Sequence, residues 1–335
     1  MQMARGKRSL SLKPGTPEGR EIVRKLVAGA DVVIANLPHD VLGKLGLDYE
    51  SLSATNPRII LATASAFGSE GPLSGSVGFD AVGQAMSGTV HLTGTPDQPY
   101  RAQVNYVDFG TALHCAFGVM VALRERERTG RGQCVSGSLL GTALAFSNAL
   151  TIDHAINGIE RQPMGNRSFS SAPTDLFRTR DGWIVTQIVG GAIFARWAAL
   201  VGRPELVDDT RYASDIDRGD NGAELSAIMQ RWCIERSTDA AIAELGAARV
   251  PAAPILKPGE ALAHPQVAAM GLIEPLAYPG SPAPAPVIRA PIGLSDAAKA
   301  TARRAPQAGE HSDAILAELG YDAASISALR AQRII

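Results

Sequence analysis

Apolar residues change their spacing several times along this chain, and each change marks an element. After Pro17-Glu18-Gly19, the residues Ile22, Val23, Leu26 and Val27 fall on one helical face, which predicts a helix through about Ala28. Residues 31–36, DVVIAN, are instead a continuous apolar run of strand length, the pattern of a parallel strand covered on both faces. Helical turns are expected at 40–45 and 49–55, followed by a second strand, RIILATAS, at 58–65. A helix, then two strands separated by helical turns, predicts a doubly wound α/β sheet. Residues 67–78, rich in Gly and Ser, form a loop. Phe109, Ala112, Leu113, Ala116, Phe117, Met120 and Leu123 then recur at helical spacing, so 109–128 should be a long helix that buries this face. Thr129-Gly130-Arg131-Gly132 stops it, because Gly takes the left-handed conformation at helix ends. Residues 136–157 read as another long apolar helix.

The second half of the chain is mixed and then helical. DLFRTRDGWIVTQIV (175–189) is two β runs joined around Asp181-Gly182, the pattern of a hairpin. Helices are expected at about 191–201, 221–235 and 237–246, a Pro-rich extended connector at 274–291, and a final helical pair over 311–331. No internal repeat interrupts this order. Trp183, Phe194 and Trp197 are read as core in preference to the lining of an acyl pocket.

Composition narrows the class. At 335 residues there is room for two domains, and 45% hydrophobic with 19% charged residues describes an ordinary globular protein. A net charge of −1 implies no general attraction to nucleic acid or to an anionic membrane. The apolar stretches look broken by charge or Gly before they reach the roughly 18 residues of a membrane span. MQMARGKRSLSL lacks the apolar core of a signal peptide. Three scattered cysteines and six histidines show no disulfide or metal-ligand spacing, which points to reduced thiols, a cytoplasmic location and no metal. No G-x-G-x-x-G follows DVVIAN, so no nicotinamide is expected. Ser74-Gly75-Ser76-Val77-Gly78 fails the G-x-S-x-G pattern of serine hydrolases at its first position.

Asp108 stands where a loop runs into the long helix. Two readings are open: it caps the helix by accepting free backbone N–H groups, or it is a reactive carboxylate. The two are compatible, since the positive end of a helix favours an ionised acid.

The block VDFGTALHCAFGVMVALRERERTGRGQ (107–133) resembles the central motif of the family III CoA-transferases, the CaiB/BaiF family. Residues 6–36, 45–88, 249–271 and 309–330 resemble other segments of that family in the same order, so the likeness covers nearly the whole chain. The resemblance implies that Asp108 is the nucleophile of a CoA transfer between an acyl-CoA and a carboxylic acid, with no metal or nicotinamide. It implies CoA contacts at Lys7, Arg8, Asn36, Leu37, Lys44, Leu45, Ala66, Phe67 and Gly68. Taken alone, the basic residues among these read as solvated surface charges. It further implies a Rossmann-like large domain formed by 1–174 and 291–335, a smaller inserted α+β domain with connector at 175–290, and an interlocked homodimer. The Gly-containing loops at 67–78 and 164–166 are candidates to close over the site.

Three departures from the family pattern stand out. Asn36-Leu37-Pro38-His39-Asp40 replaces Asn-Phe followed by Arg-Pro-Gly. PMGNRSFSSAP (163–173) stands where some transferases carry a tetraglycine run. Family members usually carry a further N-terminal segment, expected to supply a first strand and part of the CoA pocket; an inactive CoA-binding homologue is therefore one alternative. The other is the racemase branch of the family, which needs a second acid/base group in a Gly-His-Asp motif. Here the motif is Gly78-Phe79-Asp80, and Phe carries no transferable proton. Asp80 itself is expected to cap a helix.

Overall fold

The computed structural model describes residues 2–297 and 302–335. In chain order its elements are α1 (Pro17–Ala28), β1 (Val32–Ala35), α2 (His39–Leu45), α3 (Tyr49–Thr55), β2 (Ile60–Ser65), α4 (Asp80–Met86), α5 (Thr89–Thr93), α6 (Tyr106–Thr129), β3 (Cys134–Ser138), α7 (Leu139–Phe146) and α8 (Asn148–Asn157). There follow β4 (Asp175–Arg178), β5 (Trp183–Thr186), α9 (Gly191–Leu200), α10 (Asp215–Asp220), α11 (Gly222–Ile234), α12 (Thr238–Ala247), β6 (Ala252–Pro254), α13 (Pro258–Ala263) and α14 (Pro265–Met270). The chain ends with β7 (Ile273–Leu276), β8 (Ala285–Ile288), α15 (Ser312–Glu318) and α16 (Ala323–Ala331). It divides into two compact units: one holds Met1–Gly83, Tyr106–Thr142 and Glu260–Ile335, the other Gln84–Asn105 and Ala143–Gly259. The boundaries expected from sequence are displaced, with 84–105 and 143–174 in the second unit and 260–290 in the first.

The first unit is built on a parallel sheet of order β1-β2-β3, with Ala35 beside Thr63 and Ser65 beside Ser138. Each connection moves the chain one strand further in the same direction. Among the described residues the strand order never reverses, and the doubly wound expectation gives way to this simpler order. β2 is central, and Ile60, Leu61, Ala62 and Thr63 are all buried, as a strand covered on both faces requires. On one side α1 and α3 bring Val27 and Leu52 against Ile59 and Leu61. Near the chain ends, Ile22 of α1 packs with Leu316, Ile326, Leu329 and Ile334. Thr16 caps α1 by accepting from Gly19 N–H.

β3 was invisible in the sequence, which predicted a helix over 136–157. CVSGS has no apolar run, because small residues are needed where other chain segments press close. A Cβ at Gly137 would stand 2.6 Å from Cys115 Sγ, and one at Gly132, just before the strand, 1.7 Å from the carbonyl oxygen of Ile59. The helical part of that stretch is split into α7 and α8 at Ser147.

α6 is 24 residues long and lies against the sheet through Val107, Gly110, Thr111 and Ala122, which are its buried residues. Cys115 Sγ reaches Thr63 O at 3.7 Å, and a Cβ at Gly118 would meet Val135 at 2.7 Å. The sheet-facing side is thus made of small residues that allow close approach. The larger apolar face expected to be buried is the opposite one: Phe109, Leu113, Phe117 and Met120 are exposed. α6 is also, among the described residues, the one helix long and apolar enough by length and composition to cross a membrane. That corrects the expectation that charge and Gly interrupt every such stretch, since a few glycines and one Asp leave a long helix apolar on average.

The second unit carries the antiparallel sheet β4-β5-β6, with Phe177 opposite Ile184. Its core gathers Phe177, Ile184, Phe194, Trp197, Tyr212, Leu225, Met229 and Leu245. Trp197 is fully buried, its ring 5.5 Å from that of Phe194 and its Nε1 3.2 Å from Met229 Sδ. Trp197→Ala is expected to destabilise this unit by about 3–5 kcal/mol through lost burial and a residual cavity. Urea unfolding followed by circular dichroism measures it. The Pro-rich stretch expected to be an extended connector contains the antiparallel pair β7 and β8, with Ile273 opposite Ile288.

Candidate active site at the carboxyl edge of the parallel sheet

The three parallel strands end side by side. β1 hands over to Asn36 and Leu37, β2 to Ala66, Phe67 and Gly68, and β3 to Leu139. Open α/β sheets bind ligands outside the carboxyl ends of their strands where the strand order reverses. The described strands do not reverse, and this edge is a candidate because the expected contact residues Asn36, Leu37, Ala66, Phe67 and Gly68 follow directly on β1 and β2. Asn36 and Leu37 are exposed there. Ala66 is buried and accepts Leu140 N–H at 3.0 Å, which ties the exit of β2 to that of β3. Gly68 turns the chain at φ 88°, and its N–H donates to Ser65 Oγ at 3.0 Å.

The first turn of α6 is fastened to this edge. A Cβ at Gly78 would stand 2.8 Å from Ala66 Cβ, and one at Gly83 would stand 3.1 Å from Val107 Cγ1 and 3.3 Å from Leu139 Cβ. Residues 78–83 therefore run close between the exit of β2 and the start of α6. Between those glycines sits Asp80, 4% exposed, whose Oδ2 accepts the N–H groups of Val107 at 2.8 Å and of Asp108 at 3.0 Å. Thr111 Oγ1 donates to Val107 O at 2.8 Å and stands 2.8 Å from Thr142 Oγ1.

Asp108 is the third residue of α6, half-buried, in the turn where the helix dipole stabilises an anion. It is not at the first position that the sequence suggested. Its backbone N–H and that of Val107 are two of the groups a helix start leaves without intrahelical partners, and Asp80 takes both. Asp80 does cap a helix as expected, and a helix it caps is α6, 27 and 28 residues further along the chain. The Thr111–Thr142 pair was not legible in the sequence, since two hydroxyls 31 residues apart carry no local signal.

The other expected contact residues are spread more widely. Lys44 and Leu45 close α2, with Lys44 Nζ donating to Asp40 at 3.0 Å and holding that carboxyl below its usual range. Leu45 lines a groove of about 160 Å³ with Arg20 and Arg24. Arg8 makes a two-pronged pair with Glu318 of α15, at 2.8 and 3.0 Å, and Lys7 Nζ donates to Met3 O. Asn36, Leu37, Ala66, Phe67, Gly68 and Asp108 are thus gathered at the sheet's carboxyl edge, while Lys7 and Arg8 are engaged near the chain ends. Two of the thiols are poor rivals as nucleophiles: burial pushes Cys115 up and Cys233 up to about 12.

Comparison with known proteins places this geometry in a family. The pattern of CoA-transferase family III matches residues 1–312. The succinate–glutarate CoA-transferase of Agrobacterium fabrum is 34% identical over 317 residues, covering 94% of this chain and 79% of that protein. The succinyl-CoA–D-citramalate CoA-transferase of Chloroflexus aurantiacus is 34% identical over 265 residues, covering 78% of this chain and 66% of that protein. Among solved structures, a CaiB/BaiF family protein from Brucella suis is 36% identical and superposes with a TM-score of 0.79 over 94% of this chain and 82% of that one. A protein from Mycobacterium tuberculosis is 26% identical with a TM-score of 0.81, covering 94% and 85%. With a parallel α/β sheet, an acid in the first turn of α6 and this breadth of likeness, the chain belongs to family III of the CoA-transferases, the CaiB/BaiF family.

Proposed function

We propose that this chain moves CoA from an acyl-CoA thioester to a free carboxylate, with Asp108 as the nucleophile. The observation that carries the reading is the first turn of α6: a half-buried acid at a helix start, on the carboxyl edge of the sheet, with the backbone around it held by Asp80. A carboxylate oxygen of Asp108 attacks the thioester carbonyl, the C–S bond breaks, and CoA leaves as thiolate. The product is a mixed anhydride, at least as activated as the thioester it replaces. The thiolate then attacks the aspartyl carbonyl and expels the donor carboxylate, which leaves an aspartyl-CoA thioester. The acceptor carboxylate attacks that thioester, and the thiolate returns to the acceptor acyl group and releases Asp108. One thioester is exchanged for another, so neither redox chemistry nor ATP is called for. Backbone N–H groups of the glycine-containing loop at 67–78 are suited to the developing oxyanion.

The names of the relatives support a short dicarboxylyl-CoA donor and a dicarboxylate acceptor, since those of Agrobacterium fabrum and Chloroflexus aurantiacus are named for succinate, glutarate and citramalate. Incubation with succinyl-CoA, followed by hydroxylamine, is expected to leave a hydroxamate on the peptide that carries Asp108. Exchange of the α-proton with deuterated solvent, without that hydroxamate, would sink the transferase reading in favour of the racemase one. The assembly we propose is a homodimer, supported by the exposed apolar face of α6.

A further inference from the structure

We infer that Asp80 is a positioning residue for the nucleophile: its buried carboxylate fixes the backbone from which Asp108 projects. The inference rests on Asp108 being that nucleophile and adds the device that holds it. An acid three residues into a helix commonly folds back onto the backbone N–H groups of its own turn, as in a capping box. Here the N–H groups of Val107 and Asp108 are both taken by a single oxygen of Asp80, which arrives from α4, 28 residues earlier in the chain. At 2.8 and 3.0 Å the two bonds are of ordinary length; their acceptor is a carboxylate, which strengthens them, and it is buried, with Asp80 4% exposed.

Asp80 is itself held at both ends of its segment. Gly78 touches Ala66 at the exit of β2, and Gly83 is wedged against Val107 and Leu139; at neither position is there room for a side chain without movement. From the other side, the Thr111 hydroxyl holds Val107 O and is braced by Thr142. The peptide units on both sides of Val107 are thereby fastened, the one by its N–H and the other by its carbonyl. A continuous run of contacts then leads from the Ala66–Gly68 loop, where CoA is expected, through Gly78 and Asp80 to the backbone of Asp108. Attack on a thioester demands that a carboxylate oxygen sit at reacting distance along one direction. An error of about 1 Å there costs up to about 100-fold in rate.

The test compares Asp80→Ala, Asp80→Asn and wild type for kcat, KM and the rate of hydroxamate formation on the Asp108 peptide. Asp80→Ala removes the acceptor and is expected to lower kcat and the trapping rate by about 10- to 100-fold while the KM for acyl-CoA stays within about twofold. Asp80→Asn offers a carbonyl oxygen in the same place and is expected to recover most of kcat. A role confined to stability would lower the amount of folded enzyme, and would leave kcat per folded site at its wild-type value. Wild-type kcat in folded Asp80→Ala, or a rise in KM alone, overturns the inference. Should Asp80→Ala not melt cooperatively, Asp80→Glu decides: it keeps the charge and lengthens the arm by one methylene, so a reduced kcat supports the clamp and an unchanged kcat overturns it. The reading of Asp108 is scored separately. If wild type itself yields no hydroxamate on that peptide, the nucleophile assignment fails; if wild type yields it and folded Asp80→Ala yields it equally fast, only the clamp fails.

Discussion

Asp108→Ala is expected to abolish CoA transfer, with kcat reduced on the order of 10,000-fold or more, because covalent catalysis has no second route once its nucleophile is gone. The fold should survive. Asp108 is half-buried, and Asp80 accepts the N–H of Val107 and of residue 108 whatever side chain that residue carries. The melting temperature should therefore move by only a few degrees, the change that about 1 kcal/mol makes in a domain of this size. Acyl-CoA should still bind, since the expected contact residues at the strand exits are untouched. The measurement is transfer between succinyl-CoA and glutarate followed by chromatography of the CoA esters, beside calorimetric titration with CoA. Loss of transfer with retained binding places the chemistry on this carboxylate. Residual transfer above about one hundredth of wild type would show that another group attacks the thioester. Cys115 and Cys233 are weak candidates for that group, because burial raises both thiols above their ordinary range.

The elements that were legible in the sequence are those whose apolar residues form an unbroken run or recur at helical spacing. Val32–Ala35 and Ile60–Ser65 announced themselves as unbroken apolar runs, and α1 by its apolar side after Pro17-Glu18-Gly19. β2 is buried on both faces as such a run predicts, whereas in β1 Ile34 is 80% exposed, so the run marked the strand and not its cover. β3 did not, because a strand pressed against small helix residues is selected for being thin, and Cys-Val-Ser-Gly-Ser looks like a loop. The proposed nucleophile was visible as a lone carboxylate at a helix start, and its neighbourhood was not. Asp80 lies 28 residues before Asp108, Thr142 lies 31 after Thr111, and only the folded sheet brings them together. Spacing along the chain reports local structure well and says little about which oxygen caps which helix. The same limit explains the reversed face of α6. Large apolar residues at helical spacing mark a face that avoids water, and the pattern does not say what covers it. In this chain the sheet takes the side of Gly110, Thr111, Gly118 and Ala122.

Charge placed on that opposite face is expected to separate the protein into monomers. Leu113, Phe117 and Met120 are 67%, 72% and 63% exposed, and with Phe109 they follow one another at spacings of three and four along a single side of the helix. A contiguous apolar strip of this kind on a folded chain marks an interaction surface. Burying four such side chains against a second copy contributes about 6–12 kcal/mol at most before association entropy is charged against it. Micromolar or tighter dimerisation needs about 8 kcal/mol net, so this strip is large enough to matter and needs further area elsewhere. Leu113→Glu with Phe117→Glu puts two carboxylates where the partner's apolar surface would strip their water, and the dissociation constant should rise by about 100-fold or more. The free chain should lose little stability, because both positions already face solvent. Sedimentation velocity at micromolar concentration distinguishes the outcomes. A wild-type dimer that the double variant turns into a monomer supports the second copy as the cover. A wild-type monomer that partitions onto lipid vesicles through this strip would assign the face to a bilayer, which the length and composition of α6 also allow. Transfer activity then adds a second measurement on the same samples. Loss of activity in a folded monomer means that the partner completes the site around Asp108, whereas wild-type activity means that each chain holds everything the carboxylate needs.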